Sequence, residues 1–294
     1  MLEHLNSGPQ RPVRVVVVGA TGFVGGAVAA RLEAVGIPVF RLGRSDVDLC
    51  MPDARTALAS LLRPGDAFVA AAARAPCKNA DMLIQNMIMA RAMAGALADA
   101  RVSHVINISS DAVYADTATP LTEKSCASPG TLHGVMHLAR EVMFAGEINA
   151  PLAILRPSLL YGAFDPHNSY GPNRFRRLAE KGEGIVLYGQ GEERRDHVYI
   201  EDVAEIVTQV LLMRSNGVLN IATGKVHSFR EIAEKVVAFS GRAIEIRCSP
   251  RSGPMPHNGY RPFDIAGCRA AFPSFRYTSL QDGLAGAQAA ERRA

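Results

Sequence analysis

Short apolar runs alternate with longer helical patterns through the first half of the chain. The run Val13–Val18 is continuous and β-branched, which is typical of a strand buried on both faces of a parallel sheet. Four later runs also predict strands: Pro38–Leu42, Ala67–Ala71, His104–Ser109 and Leu152–Leu155. The segments between them predict helices: Gly22–Val35, Asp53–Leu62, Ala80–Ala100 and Leu132–Phe144. Because right-handed crossover helices cover both faces of such a sheet, the pattern predicts a parallel α/β fold.

The regular alternation ends after Tyr161. Residues 162–173 are dense in Gly, Pro and Asn and predict a long loop, as do residues 251–262. Three further helices are predicted, at Arg174–Lys181, Asp202–Met213 and Phe229–Phe239. A strand predicted at Val218–Ile221 rejoins the sheet. The predicted fold is therefore a Rossmann-type doubly wound parallel sheet with a smaller C-terminal lobe. The larger domain is assigned to residues 13–162, with the sheet completed by 198–222, and the lobe to 163–197 and 223–290.

Composition narrows the classes of protein. Hydrophobic residues make up 48% of the 294 residues and charged residues 20%, which is typical of a folded protein, and no apolar run approaches the roughly 18 residues of a membrane helix. The net charge of +4 is carried by scattered arginines, which disfavours nucleic acid as a partner. The first dozen residues lack the apolar centre of a secretion signal and predict a loose leader. Five cysteines without a C-x-x-C pair disfavour zinc and disulfides and favour the cytoplasm.

A glycine-rich motif, GATGFVG, joins the first predicted strand to the first predicted helix. Glycines permit a tight turn and let the backbone approach a pyrophosphate, whose charge is met by the amides at the helix N-terminus. The motif therefore predicts a dinucleotide site, although a tight turn without a ligand is the alternative. The predicted cofactor contacts in it are Gly19, Thr21, Gly22, Phe23, Val24 and Gly25.

The end of the second strand indicates which dinucleotide is preferred. An acid at this place bonds the adenosine 2′-hydroxyl in many dinucleotide sites, but the stretch from Val39 to Ser45 holds Arg41 and Arg44 and no carboxylate. A guanidinium suits a 2′-phosphate, so NADP(H) is predicted over NAD(H), with Arg44 as the main contact. The alternative is that both arginines are simply solvated.

Further motifs lie at the strand ends and in the second half of the chain. They are Asp48-Leu49, Ala71-Ala72-Ala73, Asn86, Ser109-Ser110-Asp111 with Tyr114, Leu155-Arg156-Pro157, Tyr161-Gly162, Arg195-Asp196, Asn220 to Gly224, and Arg261 to Asp264. With these the chain resembles the extended short-chain dehydrogenase/reductase family, in its NAD(P)-dependent epimerase/dehydratase/reductase branch that acts on nucleotide sugars. It is most similar to dTDP-4-dehydrorhamnose reductases. The resemblance implies that Asp48 and Leu49 contact adenine and that Ala71, Ala72 and Ala73 line the cofactor site.

The catalytic signature of that family is Y-x-x-x-K on a helix, with a nearby Ser or Thr that orients the substrate oxygen. Ser110 fills the Ser/Thr position, but the two signature positions hold His133 and His137. Their i,i+4 spacing places both imidazoles on one helix face. In one interpretation His133 replaces the tyrosine as proton donor and acceptor, since histidine titrates near neutral pH, and His137 lies at the cofactor ribose.

Two other interpretations of the histidine pair stay open. In one, the chain binds the dinucleotide but catalyses no reaction, and acts as a sensor or a partner protein. Alternatively the pair could ligate a metal with Glu141, but Gly134 stands where H-E-x-x-H has its glutamate, so no metal site is predicted.

The second half of the chain offers candidates for holding a substrate diphosphate. Arg195 and Arg261 are isolated guanidiniums that suit bidentate phosphate recognition, and Asn173 could add an amide contact. A salt bridge from Arg195 to Asp196 or Asp202 is the structural alternative. Four other histidines are expected at the surface or as caps: His167, His197, His227 and His257.

Together these features predict an oxidoreductase that uses NADP(H) to reduce, or to epimerise, a nucleotide-activated sugar. A reductase of a small non-nucleotide ketone or aldehyde is the alternative with the same chemistry. Because relatives often dimerise through the helices predicted at Ala80–Ala100 and Leu132–Phe144, we also expect a homodimer.

Overall fold

The computed structural model describes residues 2–293, and a seven-stranded sheet lies at its centre. The strands are β1 (Glu3–His4), β2 (Val15–Val18), β3 (Val39–Leu42), β4 (Ala67–Ala70), β5 (His104–Ile108), β6 (Leu152–Pro157), β7 (Leu159–Tyr161), β8 (Ile185–Tyr188), β9 (Arg194–Tyr199), β10 (Ser215–Ile221), β11 (Val226–Ser228), β12 (Ile246–Ser249) and β13 (Tyr260–Arg261). The helices are α1 (Phe23–Ala34), α2 (Ala54–Leu61), α3 (Ala80–Asp99), α4 (Leu132–Glu147), α5 (Pro172–Lys181), α6 (Ile200–Leu212), α7 (Phe229–Ser240), α8 (Ala266–Ala271) and α9 (Leu280–Arg293).

The central sheet has the strand order β1-β10-β6-β5-β4-β2-β3, and all its pairs are parallel except β1 with β10. Both faces of β2 are buried: Val15 and Val17 pack towards α1 and α6, whereas Val16 and Val18 pack towards α2 and α3. The chain proceeds from β2 to β3 on one side and then crosses to β4 on the other, so the strand order reverses at β2. This confirms the predicted Rossmann-type doubly wound sheet, in which ligands bind at the carboxyl ends beside that reversal.

A second group of strands packs beside the carboxyl ends of the central sheet. Strand β9 pairs with β7 and β13 in parallel and with β11 antiparallel, and β8 pairs with β12. Helices α5, α7 and α9 share an apolar core with these strands, built around Tyr161, Phe175 and Phe229. Between these parts the chain returns to the central sheet through α6 and β10, so β10 completes the sheet.

The prediction of a loose leader is wrong, because the first residues are bound to the edge of the central sheet. Strand β1 pairs with Ser215 and Asn216 of β10. The His4 ring pairs with the Ser215 hydroxyl at 2.8 Å and donates to the Ala271 carbonyl at 2.9 Å. A two-residue strand carries no hydrophobic periodicity, so the pattern could not reveal it. Among residues 2–293, no helix has the length and apolarity needed to span a membrane.

Candidate active site

A cavity of about 300 Å³ opens at the carboxyl ends of β2, β3 and β4. It is lined by nine residues that were predicted to contact the cofactor: Gly19, Thr21, Gly22, Arg44, Asp48, Leu49, Ala71, Ala72 and Ala73. The other three, Phe23, Val24 and Gly25, form the first turn of α1 beside it. The sequence analysis did not identify Arg74, Gln85 and Met89, which also border the cavity. Gln85 and Met89 lie one turn apart on α3, a spacing that could have indicated a shared face.

The turn between β2 and α1 is tight and leaves the N-terminus of α1 uncapped. Gly19 has φ +89°, and a Cβ there would lie 2.6 Å from the Ala72 nitrogen, so a side chain would fill the entrance to the turn. Helix α1 begins after Gly22 with no side chain capping its N-terminus and no acid in its first turn. Its first amides and the positive end of its dipole are therefore available to an anion.

Only one of the two arginines after β3 reaches the cavity. The Arg41 guanidinium forms a bidentate pair with Glu33, at 2.8 and 2.7 Å, and does not border it. Arg44 does border it, with 83% of its side chain exposed and Nε 3.1 Å from Asp48. The backbone N–H of Cys50 and the Arg44 guanidinium lower the pKa of Asp48, so this carboxylate is charged beside the cavity.

The two histidines of α4 lie together, as their spacing predicts. The ring centroids of His133 and His137 are 4.7 Å apart and their planes are nearly perpendicular. The backbone N–H of Cys77 donates to His133 Nδ1 at 3.4 Å, a long contact that restrains the ring only weakly. His137 is 6% exposed, and its Nδ1 has no hydrogen-bond partner among residues 2–293.

Both imidazoles are shifted towards the neutral form. Burial lowers the pKa of His133, and the neighbouring charges act in opposite directions, since Asp111 raises it and Arg140 lowers it. Burial, Arg140 and His133 together hold the pKa of His137 well below its ordinary value. At neutral pH neither ring therefore supplies the positive charge that a lysine at the second position would carry.

A positive charge near the two histidines is carried instead by Arg140, a residue that the sequence analysis did not identify. Its side chain is buried, and Nη1 donates to the Ala72 carbonyl at 2.9 Å while Nη2 donates to the Ile108 carbonyl. Burial lowers the pKa of Arg140 to about 10, so the group stays protonated at neutral pH. A fixed cation therefore lies beneath the ends of β4 and β5, one helical turn from His137.

Glu141, the third residue considered for a metal site, is held by other groups. Arg156 of β6 donates to both of its oxygens, and the Ser109 hydroxyl donates to it as well. Arg156 also donates to the Tyr114 hydroxyl at 2.9 Å, which donates in turn to Asn220 of β10 at 2.6 Å. These buried bonds join α4 to β6, β10 and the turn after β5. Residues 2–293 contain no cluster of three or more acidic, His or Cys side chains that could hold a metal ion.

Ser110 begins a short 3-10 turn that α4 packs against. Its Oγ accepts from the Ala112 N–H at 3.2 Å. Gly134, the residue after His133, lies so close to the Ala112 carbonyl that a Cβ would overlap it. The absence of a side chain at this position therefore lets the helix that carries His133 approach the turn that carries Ser110.

Arg261 of the C-terminal lobe is hydrogen-bonded to the turn that begins at Ser110. Its guanidinium is 3% exposed, donates from Nε to Asp111 Oδ2 at 2.8 Å, and donates from Nη2 to the Asp111 carbonyl at 2.6 Å. Nη1 donates to Asp116 at 3.0 Å and contacts His257 at 2.9 Å. The structure thus brings Arg261 to the Ser110 turn.

The other two substrate candidates are also buried. Arg195 donates from Nε to Glu193 at 2.8 Å, so its partner is neither Asp196 nor Asp202, the alternatives suggested by the sequence. Asn173 accepts from the Gly162 N–H at 3.0 Å and donates to Asp165 at 2.8 Å, so its amide holds the loop that precedes α5.

The expectation of a surface or capping role is wrong for His197. This histidine lies within β9 and is only 4% exposed, with its ring edge-on to Phe229. Burial lowers its pKa to about 3, so it is neutral at physiological pH. Because a charged segment precedes β9, the hydrophobic pattern did not indicate that this strand is buried.

Comparisons with known proteins agree with this geometry. The NAD dependent epimerase/dehydratase family matches residues 15–222. The chain is 26% identical to dTDP-4-dehydro-6-deoxy-D-allose reductase of Streptomyces bikiniensis, across 80% of this chain and 84% of that one. Two solved UDP-glucose 4-epimerases are similar across 95% of this chain and 99% of theirs: that of Thermotoga maritima with UDP-glucose (TM-score 0.84, 21% identity) and that of Thermus thermophilus with NAD (TM-score 0.81, 23% identity). As the motifs predicted, the chain belongs to the NAD dependent epimerase/dehydratase family, a family of enzymes.

Proposed function

We propose that this protein is an NADP(H)-dependent oxidoreductase that reduces a keto group of a nucleotide-activated sugar. The observation that carries the proposal is the position of an imidazole, His133, on the helix that packs against the Ser110 turn. Ser110 and His133 are the groups that would act on the substrate oxygen. The family and the reductase of Streptomyces bikiniensis support the reaction class.

The cavity at the ends of β2, β3 and β4 is the site we assign to the dinucleotide. The first amides of α1 would bind the pyrophosphate, because nothing caps them. Arg44 would bind the 2′-phosphate, since its guanidinium is exposed at the cavity and its bond to Asp48 is a surface pair that costs little to exchange. His137 would bond a ribose hydroxyl through Nε2, because its Nδ1 is fully buried.

In the proposed mechanism, the keto carbon of the sugar would accept the hydride that NADPH carries when it is bound. The Ser110 hydroxyl donates a hydrogen bond to the keto oxygen and polarises the carbonyl. The His133 imidazolium then gives its proton to that oxygen and becomes neutral. Because burial and Arg140 lower the pKa of His133, the imidazolium is a minor but strongly acidic form. In the reverse direction the neutral ring is the base.

The substrate diphosphate is assigned to the two arginines of the second strand group. Arg195 uses only Nε in its pair with Glu193, which leaves both Nη groups for a phosphate. Arg261 would reach the same anion through Nη1, because the partner of that atom, Asp116, is half exposed and can be displaced. Nε and Nη2 would stay on Asp111 and keep the Ser110 turn in place.

Replacement of the histidines tests the mechanism. In His133→Phe we expect NADPH-dependent turnover of a dTDP-4-keto sugar to fall about 10²–10⁴-fold, while NADPH affinity is retained. The matched variant is His133→Tyr with His137→Lys, which restores the pair of the family and should keep activity. If the natural chain is inactive and only the double variant turns over, the protein is a dinucleotide-binding sensor or partner and the proposal is wrong.

The substrate class has a separate test. Arg195→Ala should raise KM for the nucleotide sugar and leave the reduction of a simple ketone unchanged. Equal effects on both would favour the small ketone or aldehyde as the natural substrate.

The proposed homodimer would form through α3 and α4, which pack side by side. Ile84 of α3 is 57% exposed and Val142 of α4 is 64% exposed, so both helices present apolar side chains outwards. Light scattering should show a dimer that Ile84→Glu with Val142→Glu converts to a monomer. A monomeric natural chain would contradict this assignment.

A further inference from the structure

A second cavity lies away from the dinucleotide site, towards the β10 edge of the central sheet. It has a volume of about 650 Å³ and opens between α7, β11, α8 and residues 272–281, next to the carboxyl end of β10. The dinucleotide cavity is bordered by the ends of β2, β3 and β4, and the two cavities share no lining residue. Its volume is within the range of sites that bind small organic ligands.

The charged side chains that line this cavity are all basic. Lys225, Lys235, Arg269 and Arg276 border it, and no lining residue is acidic. Across the described range 2–293, none of these four side chains has a carboxylate within 4 Å, although many other arginines of the chain are paired. Four basic side chains that line one cavity without a carboxylate partner favour an anionic ligand there.

Four carboxylates lie just behind the lining, and each accepts hydrogen bonds from other groups. Asp202 accepts from Thr278 at 2.9 and 2.7 Å, and Asp282 accepts from the Ser279 hydroxyl at 2.6 Å. Asp196 accepts from the hydroxyls of Ser158 and Thr223, at 2.8 and 2.9 Å. Glu231 accepts from the Ser228 N–H at 3.0 Å in the capping box of α7. None of these carboxylates lines the cavity; they weaken the positive field there, but the four basic side chains remain the charged groups that a ligand would contact.

The floor of the cavity is apolar. Cys268, Phe272 and Leu280 are each less than 9% exposed, and Phe275 and Tyr277 pack edge-on at a centroid distance of 4.8 Å beside them. The Arg276 guanidinium is fixed at the rim, because Nη1 donates to the carbonyls of Pro273 and Phe275. A fixed cationic rim above an apolar floor suits a ligand with an anionic end and an apolar body.

We propose that this cavity is a second ligand site, which binds a phosphorylated small molecule with an apolar or aromatic part. A phosphate group carries enough negative charge and enough acceptor oxygens to contact several of the four cations at once. A monocarboxylate would leave most of them unpartnered. The proposal does not depend on the reaction assigned to the first site.

Calorimetric titration tests this site with ATP and inorganic pyrophosphate as probes. The protein is first saturated with NADP⁺, so that the dinucleotide cavity is filled. The test variant is Lys225→Gln with Arg276→Gln, which removes two rim charges. The matched control is Lys124→Gln with Arg101→Gln, which removes the same charges from exposed positions outside both cavities.

We expect both probes to bind the natural chain, with ATP the tighter because it adds an aromatic body. The test variant should bind at least roughly tenfold more weakly, since each charged contact contributes about this factor, and the control should bind unchanged. Added salt should weaken binding. Absence of binding by both probes, or equal loss in the test and control variants, would overturn the proposal. Arg195→Ala separates this site from the substrate site, because its loss of ATP binding would assign the probe to the latter.

Discussion

The buried pair of Glu141 and Arg156 offers the sharpest test of the forces that hold the active site. The two side chains are 5% and 8% exposed, and they meet through two hydrogen bonds. Burial alone would lower the pKa of Arg156, but its bonds to Glu141 and Tyr114 more than offset burial and raise it. The guanidinium is therefore charged in any variant that keeps it. Glu141→Leu leaves this cation buried with only the Tyr114 hydroxyl as a partner.

Loss of one partner of a buried pair costs about 3–5 kcal/mol, a large part of the roughly 5–15 kcal/mol that stabilises a typical protein. Urea unfolding followed by circular dichroism should show this loss for Glu141→Leu. The double variant with Arg156→Met removes both charges and should recover most of it, because no unpaired ion stays buried. The control is Asp99→Leu, which breaks an exposed pair with Arg55 and should change stability little. A small loss in Glu141→Leu, or a double variant no more stable than the single, would refute the reasoning.

Three other predictions follow from the charges of the site. Because the pKa of His133 lies below 6.5, the reduction rate should rise as the pH falls towards that pKa, and the oxidation rate should fall. Arg140→Met removes a repelling cation and should move both pH profiles to higher pH. Unchanged profiles would exclude His133 as the titrating group. Arg44→Ser should weaken NADPH binding about tenfold or more and NADH binding little, by fluorescence titration, with Arg41→Ser as the neutral control. Burial holds the pKa of His104 at about 4, so as the pH falls below 6.5 this residue takes up a proton in the unfolded chain before it does in the folded one. The free energy of unfolding should therefore decrease by about 3 kcal/mol by pH 4. His104→Gln should reduce this decrease in acid unfolding curves.

The parts of the fold that repeat a pattern could be predicted from the sequence. The apolar run of β2 marks a strand covered on both faces, and the structure buries all four of its valines. The GATGFVG motif identifies the turn because Gly19 needs a backbone conformation that other residues rarely adopt. The i,i+4 spacing of His133 and His137 was enough to bring the two rings together.

Burial of charged side chains could not be predicted in the same way. Arg140 and Glu141 occupy consecutive positions of α4, and charged residues normally face solvent, so a pattern-based analysis assigns both to the surface. Helix α4 instead packs against both α3 and the central sheet, and each group is buried with a partner in or beside a strand. Those partners are distant in sequence, and a single chain gives no sign of the pairing.

The pairing of β1 also shields one edge of the central sheet. Beyond β10 the sheet would otherwise end in a row of unpaired backbone groups, and such a row can template pairing between molecules. The short strand, with His4 anchored to Ser215 and Ala271, covers the first two residues of β10 and hinders that contact there. Expression variants that delete the first ten residues should therefore be prone to aggregate even where catalysis is intact, and solubility screens should retain this segment.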